Sequence, residues 1–328
     1  IVAIDTFIKD FMPNLQINGW SNDWFGGYPL YYFYFPLPAI ITYFLNIVFS
    51  FGIAFKIMVV MSTILVVYSI EKLMRKTSNQ ISIYGATAGL FYVFTESFTI
   101  YGGNLASTLA GQFSFAYSLA FANLSIFYLI KSENNFRFTI SSIFLALCLL
   151  SHLIPFIIYS PIYAFYWLSK KQNLNQRILS IFIFLALVSR WSVSLLMNLE
   201  YTTNMSYTPF SRLDDLIKKD ILPIIFILIG LLIAKHKNLI KNKTLNLFDF
   251  YIVSSSILLY FYVPEGALWN GRLVPFFNLG IIFLFFKAVE IFIDDINLYQ
   301  QGVNVLTGLF LGGTIYCLYI FYEKWSTN

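Results

Sequence analysis

Long runs of apolar residues, separated by short polar links, follow one another along most of this chain. Runs of roughly 20 apolar residues are typical of transmembrane helices, because a helix of that length spans the hydrocarbon core of a bilayer. The pattern therefore predicts an all-α, polytopic transmembrane helix bundle of about 8–10 spans. The predicted helices lie near 53–70, 81–99, 112–130, 178–198, 221–235, 246–263, 276–293 and 303–322.

The apolar segment 138–168 differs from the other runs because Pro155 and Pro161 interrupt it. A proline inside a helix removes a backbone donor and clashes with the preceding turn, so a single straight helix is not expected. The segment has about 31 residues, which is short for two full crossings at about 1.5 Å per residue. We predict a hairpin that turns around His152–Pro155, and the pattern leaves open whether this hairpin crosses fully or is re-entrant.

Basic residues concentrate in four of the polar links and thereby predict which links are cytoplasmic. Together these links hold twelve of the 21 lysines and arginines. The clusters are Lys72, Arg75 and Lys76; Lys131 and Arg137; Lys170, Lys171 and Arg177; and Lys235, Lys237, Lys241 and Lys243.

The same sidedness decides how the first part of the chain is interpreted. If the link after 53–70 is cytoplasmic, Phe51 is outside, and the apolar segment 35–50 lies along the outer surface instead of crossing. The aromatic residues between Trp20 and Tyr34 suit such an interfacial position. We predict a first external loop with one or two juxtamembrane helices over 1–50, followed by a multi-span domain over 51–328.

Composition narrows the function classes. Hydrophobic residues make up 58% of the chain and charged residues 11%, and mean hydropathy is +0.71, so lipid surrounds most of the chain. No basic stripe suggests nucleic-acid binding, and the two histidines are too scattered for a zinc site. Both cysteines lie in apolar runs, which argues against a disulfide framework. The chain opens at Ile1 without a signal-peptide pattern, so we expect an N-terminally truncated fragment.

The predicted outer face carries the candidate chemistry. Ten of the sixteen acidic residues fall on or near it, with three further conspicuous loops at 101–115, 200–220 and 263–277. Carboxylates, isolated arginines and interfacial aromatics suit a lipid-linked anionic substrate such as a polyprenyl-phosphate sugar. Asp23 is the candidate general base; the alternative is a loop carboxylate that caps a turn after Asn22.

Two arginines and a histidine are candidate substrate-binding residues. Arg272 between two apolar spans either binds phosphate or is an interfacial arginine paired with Glu265. Arg190, well inside its span, is expected to face a cavity or a carboxylate, for which Glu96 is a candidate. His152 either lines a polar cavity or is a structural residue at the helix break.

Five segments in this order resemble a known family. They are "GWSNDWFGGYPLYYFYFPLP", "YGGNLASTLAGQFSFAYSLAFA", "SHLIP", "EYTTNMSY" and "LWNGRLVPFF". The chain resembles, from Trp20 to Phe277, the bacterial polytopic membrane proteins labelled "6-pyruvoyl-tetrahydropterin synthase-related". The label's soluble synthase uses a histidine-rich zinc site, which this sequence lacks. The family in turn looks like the GT-C superfamily of glycosyltransferases, which use polyprenyl-phosphate-linked sugars.

The resemblance implies roles for individual residues. Asp23 matches the family's Asp-Trp position, followed by Trp24, and Arg272 matches its Arg-x-x-Pro-Phe position. Gln112 stands where the family has Glu, which puts an acid–base role there in doubt. With these, Arg190, His152, Trp269 and Glu265 complete the expected substrate-binding set. The family's acidic Gly-Asp motif would precede Ile1, so the principal catalytic Asp is expected in a missing segment. A divalent cation is compatible with the resemblance, but no ligand cluster indicates a metal site.

The resemblance thus implies a GT-C-like glycosyltransferase in a bacterial cytoplasmic (inner) membrane. It would transfer a sugar from a polyprenyl-phosphate donor to a glycan or lipid acceptor on the outer face. One alternative is a transporter or flippase of lipid-linked glycans, which would place charges at mid-depth. The other is a non-catalytic membrane scaffold without an outward-opening polar cavity.

Overall fold

The fold is mostly helical in the part of the chain that the computed structural model describes. The described residues are 1–23, 26–75, 82–95, 100–132, 135–203, 208–217, 221–222, 224–225, 228–229, 247–263 and 268–295. The chain forms two compact units. Unit 1 comprises Ile1–Leu65 and Gly111–Met205, and unit 2 comprises Val66–Ala110 and Ser206–Asn328.

Unit 1 begins with short elements and not with a long span. Helix α1 (Val2–Thr6) continues through a π-helical turn (Phe7–Phe11) and a 3-10 turn (Met12–Asn14). Strands β1 (Gly19–Ser21) and β2 (Tyr28–Leu30) then form an antiparallel hairpin, and α2 (Leu37–Asn46) follows. The strand pair is a small departure from the all-α prediction. A ten-residue helix such as α2 rises about 15 Å, half of a bilayer's hydrocarbon thickness, which fits the expectation that 35–50 does not cross.

The remaining helices of unit 1 form a bundle. Helix α3 (Phe51–Met74) belongs to unit 1 up to Leu65. Helix α6 (Phe113–Ile130) follows a π-helical turn (Thr108–Gln112) and the short helix α5 (Leu105–Ser107), which belongs to unit 2. The bundle continues with α7 (Asn135–Ser151), α8 (Leu153–Ser169) and α9 (Leu174–Met197), and a 3-10 turn (Leu199–Tyr201) follows. Helix α6 packs against α7 and α8, and α7 packs against α9.

The predicted hairpin over 138–168 is confirmed. Helices α7 and α8 fold back on each other, since the hydroxyl oxygens of Ser141 and Ser142 lie 3.0 and 3.2 Å from the Tyr163 hydroxyl oxygen. The chain turns at His152, whose backbone is extended. Pro155 is the third residue of α8, where the backbone needs no intrahelical donor, so it starts this helix without breaking it.

The two ends of the unit 1 bundle differ in chemistry. At one end, Lys170 donates to the carbonyl oxygen of Ile130 at 2.6 Å, and Arg177 donates to the carbonyl oxygen of Lys170 at 2.7 Å. The β-hairpin and the segment after it contact the other end, near the end of α9. The predicted sidedness requires this separation of basic links from residues 1–50, although which end faces the cell interior stays a prediction.

Unit 2 contains α4 (Ile83–Phe94), α10 (Leu213–Leu216), α11 (Leu247–Tyr262), a 3-10 turn (Asn270–Leu273) and α12 (Val274–Asp295). Helix α12 packs against α11 and α4. A Cβ at Gly280 would lie 2.5 Å from Val253 Cγ2, so glycine permits the close approach of α12 to α11. Lys287 on α12 donates to both carboxylate oxygens of Asp249 on α11 at 2.7 Å, and both side chains are buried.

Four helical stretches among the described residues are long and apolar enough to cross a membrane: Phe51–Met74, Leu105–Ile130, Leu174–Met197 and Asn270–Glu290. They correspond to four of the predicted spans. Helices α4, α7, α8 and α11 are apolar but shorter. The predicted span 81–99 is represented by the 12 residues of α4, with 96–99 outside the described residues. Most of 221–235 and all of 303–322 also lie outside them.

Replacing Lys287 with Met should lower the free energy of unfolding by about 3–5 kcal/mol, because Asp249 would stay buried without its ammonium partner. The double variant Lys287→Met with Asp249→Leu should recover most of this loss, since it buries neither charge. Thermal unfolding in detergent, monitored by circular dichroism, measures the stability of the single and the double variant. Lys171→Met removes an exposed ammonium and is the matched control, with an expected change below about 0.5 kcal/mol. A single variant as stable as the wild type would contradict the prediction.

Candidate functional site

Asp23 lies at the end of β1, where hydroxyl groups orient its carboxylate. The Thr6 hydroxyl donates to Asp23 Oδ2 at 2.6 Å and the Ser21 hydroxyl donates to the same oxygen at 3.1 Å. The Asp23 backbone N–H donates to Ser21 Oγ at 3.2 Å, so the Ser21 hydroxyl contacts both the backbone and the carboxylate of Asp23. The Asp23 side chain is nevertheless exposed. Within the described residues, no donor contacts Oδ1, so this oxygen can accept a proton or a hydrogen bond from a bound molecule.

Tyr28 connects this carboxylate to the interior of unit 1. It stands opposite Ser21 in the register of the hairpin. Burial raises the pKa of the Tyr28 phenol, the negative charge of Asp23 raises it further, and a hydrogen bond with Ser21 partly opposes both. The Tyr28 phenol therefore keeps its proton at neutral pH.

Glycines at the tip of the hairpin fix the position of β1 relative to β2. Gly26 and Gly27 both have positive φ angles, 98° and 103°. A Cβ on Gly27 would lie 2.4 Å from Trp20 Nε1 and 2.7 Å from the Ser21 carbonyl oxygen. A side chain is therefore excluded at Gly27 by contact as well as by backbone conformation.

A cavity of about 460 Å³ lies beside this network, within unit 1. Its wall consists mainly of aliphatic and aromatic side chains from α1, from β2 and the segment after it, and from the start of α6. The lining residues are Ile1, Ala3, Ile4, Tyr28, Pro29, Leu30, Tyr31, Phe33, Tyr34, Phe35, Pro38, Gly111, Phe113 and Ser114. A cavity of this size and lining suits the apolar part of a ligand, with polar groups held near Tyr28.

His152 supports one wall of this cavity. Its Nδ1 accepts the backbone N–H of Ile154 at 3.2 Å and caps α8. The imidazole stacks on Phe35 with ring centroids 4.9 Å apart and meets Phe115 at 5.3 Å. Since Phe35 lines the cavity, these contacts favour the structural interpretation of His152, as a residue that positions the wall.

Arg190 is not part of this cavity. Its side chain lies on an exposed face of α9, whereas the sequence predicted that it faces a cavity or a carboxylate. The prediction assumed that a charge inside an apolar span must point inward, and the structure instead turns Trp191 inward and Arg190 outward. The candidate partner Glu96 lies outside the described residues.

In unit 2, Arg272 forms hydrogen bonds with the backbone at Ile100 and Tyr101. Its Nη1 donates to the carbonyl oxygens of Ile100 and Tyr101 at 2.8 and 3.0 Å. The guanidinium carbon lies 5.9 Å from the centre of the Trp269 ring, and Trp269 packs against Tyr101 and Phe210. These contacts describe an anchored arginine, and the phosphate-binding role of Arg272 stays a prediction. Glu265, its predicted partner, lies outside the described residues.

The structure thus brings Arg272 and Trp269 together, while Asp23 and His152 contact different parts of the first 38 residues. Gln112 is half-buried at the start of α6, directly after Gly111 with its positive φ of 99°, and Trp24 lies outside the described residues. No group of three or more potential metal ligands is present among the residues that the structure describes.

Sequence reasoning missed Thr6, Ser21 and Tyr28, the residues that orient Asp23 or link it to the cavity. The Ser21-Asn22-Asp23 run is typical of a turn in which a hydroxyl contacts the local backbone, so Ser21 had a detectable signal. Thr6 is 17 residues from Asp23 and gives no local signal.

Gly27→Ala should open the hairpin locally, because the methyl group would collide with Trp20 and with the Ser21 backbone. Hydrogen–deuterium exchange of the amides over 19–30 should become at least about tenfold faster, which corresponds to about 1.4 kcal/mol of local stability. Gly26→Ala is the control, since it has the same backbone strain but nothing lies within 4 Å of the added Cβ. Equal exchange in the two variants would show that the contact at Gly27 is unimportant.

Arg272→Lys keeps the positive charge but loses the forked donor geometry. If the anchoring role dominates, this variant should lose about 1–3 kcal/mol of stability in thermal unfolding, because the shorter lysine side chain cannot place a donor where Arg272 Nη1 contacts the carbonyl oxygens of Ile100 and Tyr101. Unchanged stability with weaker binding of a polyprenyl phosphate would instead favour the phosphate role.

Comparisons with protein-family models, with curated proteins and with solved structures give no match to this chain.

Proposed function

We propose that the chain is a multi-pass membrane glycosyltransferase that uses a polyprenyl-phosphate-linked sugar. The observation that carries the proposal is the oriented and exposed carboxylate of Asp23, which is coupled to Tyr28 in the wall of a cavity with apolar lining. The resemblance to GT-C enzymes agrees with this arrangement. In the proposal, the reaction takes place on the outer face of the bacterial cytoplasmic membrane.

The cavity supports the choice of a lipid-linked donor. Tyr31 is buried between Phe7 and the cavity, and burial raises the pKa of its phenol far above the usual value, so this wall offers no charge. Phe35 and Phe113 add aromatic surface. Such walls would bind the first isoprenyl units of a donor, while the sugar and phosphate would lie toward the polar network at Tyr28.

The proposed step needs a base at the acceptor. The acceptor hydroxyl oxygen would form a bond to the anomeric carbon, the bond from that carbon to the phosphate oxygen would break, and the hydroxyl proton would pass to Asp23 Oδ1. The hydrogen bonds from Thr6 and Ser21 occupy Oδ2 and thereby direct Oδ1 outward. A positioned base of this kind contributes roughly 10²–10⁴ to the rate.

A transporter of lipid-linked glycans is the second candidate, because one observation favours it. Lys287 and Asp249 form a buried ion pair between two apolar helices of unit 2. Ionisable residues inside a membrane bundle often lie on substrate or proton pathways. The pair equally fits a structural role in the α11–α12 hairpin, for which the stability prediction above is the test.

Asp23→Asn should reduce sugar transfer about 100-fold or more, because the amide cannot accept the proton. The protein would be purified into nanodiscs with a radiolabelled polyprenyl-phosphate sugar and a cell-envelope extract as acceptor source, and release of polyprenyl phosphate would be measured. Asp10→Asn is the matched control, since Asp10 is an exposed carboxylate of the same segment, and it should change the rate less than about twofold.

Binding of the donor should be similar in the wild type and in Asp23→Asn, which separates the loss of a base from loss of the fold. Unchanged transfer in Asp23→Asn would reject the role of Asp23. Movement of a fluorescent lipid-linked glycan across proteoliposomes without any transfer would favour the transporter.

A further inference from the structure

One helix of unit 1 exposes an apolar face that is long enough to span a bilayer. Helix α9 has 24 residues and rises about 36 Å, and only 17% of its most apolar window is buried. Large exposed side chains run along it: Ile178, Phe182, Leu185, Leu187, Val193 and Leu196. In a membrane, the part of this face from Ile178 to Leu187 would contact lipid.

Arg190 interrupts this face. Its neighbours one turn away on either side, Leu187 and Val193, are exposed by 42% and 51%. Arg190 is itself exposed, and none of the described residues forms a hydrogen bond, ion pair or ring contact with it. An arginine costs about 2.5–3.5 kcal/mol on insertion scales at the centre of a spanning helix and less toward its ends, so oxygen atoms that accept from its guanidinium are expected near the lipid surface.

The other arginine of α9, Arg177, has hydrogen-bond partners within the protein. Arg177 donates to the carbonyl oxygens of Trp167, Leu168 and Lys170 and stacks over the Trp167 ring at 4.7 Å. Carbonyl oxygens at the end of α8 therefore accept hydrogen bonds from the Arg177 guanidinium. The exposed position of Arg190 is a property of that site, not of arginines in α9 generally.

The depth of Arg190 in a bilayer follows from the contacts made by Trp191 and Ser194, the residues that come after it in α9. Trp191 Nε1 donates to the Tyr34 carbonyl oxygen at 2.9 Å, and Asn18 donates to Ser194 Oγ at 2.7 Å. Both contacts come from non-helical stretches, in which Asn18 is half-buried and Tyr34 is 58% exposed. Exposed irregular backbone cannot lie in hydrocarbon, because its polar groups would lack partners. The level of Trp191 and Ser194 is therefore the membrane–water interface, and Arg190 lies just below it.

Phosphate is the anion that a bilayer presents at this depth. A guanidinium offers a planar fork of donors that matches two phosphate oxygens, and such charge-assisted pairs are strong. We propose that Arg190 binds the phosphate of a bilayer phospholipid at the interfacial end of α9. This lipid site is separate from the proposed sugar transfer and does not depend on it.

A second copy of the chain is a poorer occupant of this face. Helix α9 carries two arginines and no acidic residue. Two such helices packed together would therefore bring like charges into an apolar interface without a carboxylate to pair with either. A lipid phosphate supplies the missing negative charge and leaves the apolar side chains in contact with acyl chains.

Native mass spectrometry of the full chain in detergent, titrated with phosphatidylglycerol, tests the proposal. Arg190→Gln should raise the Kd of the tightest phosphatidylglycerol site about tenfold or more, since a hydrogen-bonded charge is lost. The Kd of Arg190→Lys should lie between those of the wild type and Arg190→Gln, because lysine keeps the positive charge but lacks the forked donors of the guanidinium. Lys171→Gln removes an exposed charge at the other end of the bundle and should change that Kd less than about twofold. Diacylglycerol, which has no phosphate, should bind all variants equally.

Three results would overturn the assignment. One is equal phosphatidylglycerol affinity in Arg190→Gln and the wild type, with circular dichroism confirming that both are folded. Another is complete competition by millimolar inorganic phosphate, which would identify a site for a free anion. The third is a dimer that dissociates in Arg190→Gln while lipid binding is unchanged, which would identify a second copy as the partner.

Discussion

The constraint on which the rest of this structure depends is that backbone polar groups need partners wherever water is scarce. In the apolar stretches the chain meets this need with helices, and it departs from helical structure where other groups supply the partners. The break at His152 is one example, since its imidazole accepts the N–H of Ile154 and starts α8. The hairpin of β1 and β2 is another, because the two strands pair with each other.

This constraint also explains why the candidate chemistry collects at one end of unit 1. Irregular backbone is confined to the ends of the helices, and side chains that project from such backbone can meet across long sequence separations. Thr6 and Ser21 both reach Asp23 for this reason, and Tyr28 extends the same polar network to the cavity wall. The proposed enzyme function therefore depends on the same requirement that shapes the fold, namely that backbone polar groups have hydrogen-bond partners.

Basic side chains in or next to the apolar helices have three different kinds of partner. Lys287 pairs with Asp249 inside a helix hairpin, and Arg272 donates to loop carbonyl oxygens at a helix start. Arg190 is exposed on an apolar face of α9, where we propose a phospholipid phosphate as its partner. Each solution supplies the guanidinium or ammonium with oxygen atoms, and the source of these atoms depends on which way the helix turns the side chain.

The sequence by itself determined the helical class, the positions of four of the eight predicted spans and the hairpin around His152, because hydrophobic run length and proline position act locally. The distribution of basic residues also predicted that 35–50 does not cross, and the short helix α2 fits that prediction. The sequence did not determine the direction of Arg190, since run length does not tell which face of a helix packs inward. Only the tertiary structure decided that Thr6 lies beside Asp23 and that Phe35 lies on His152, because these contacts join residues far apart in the chain.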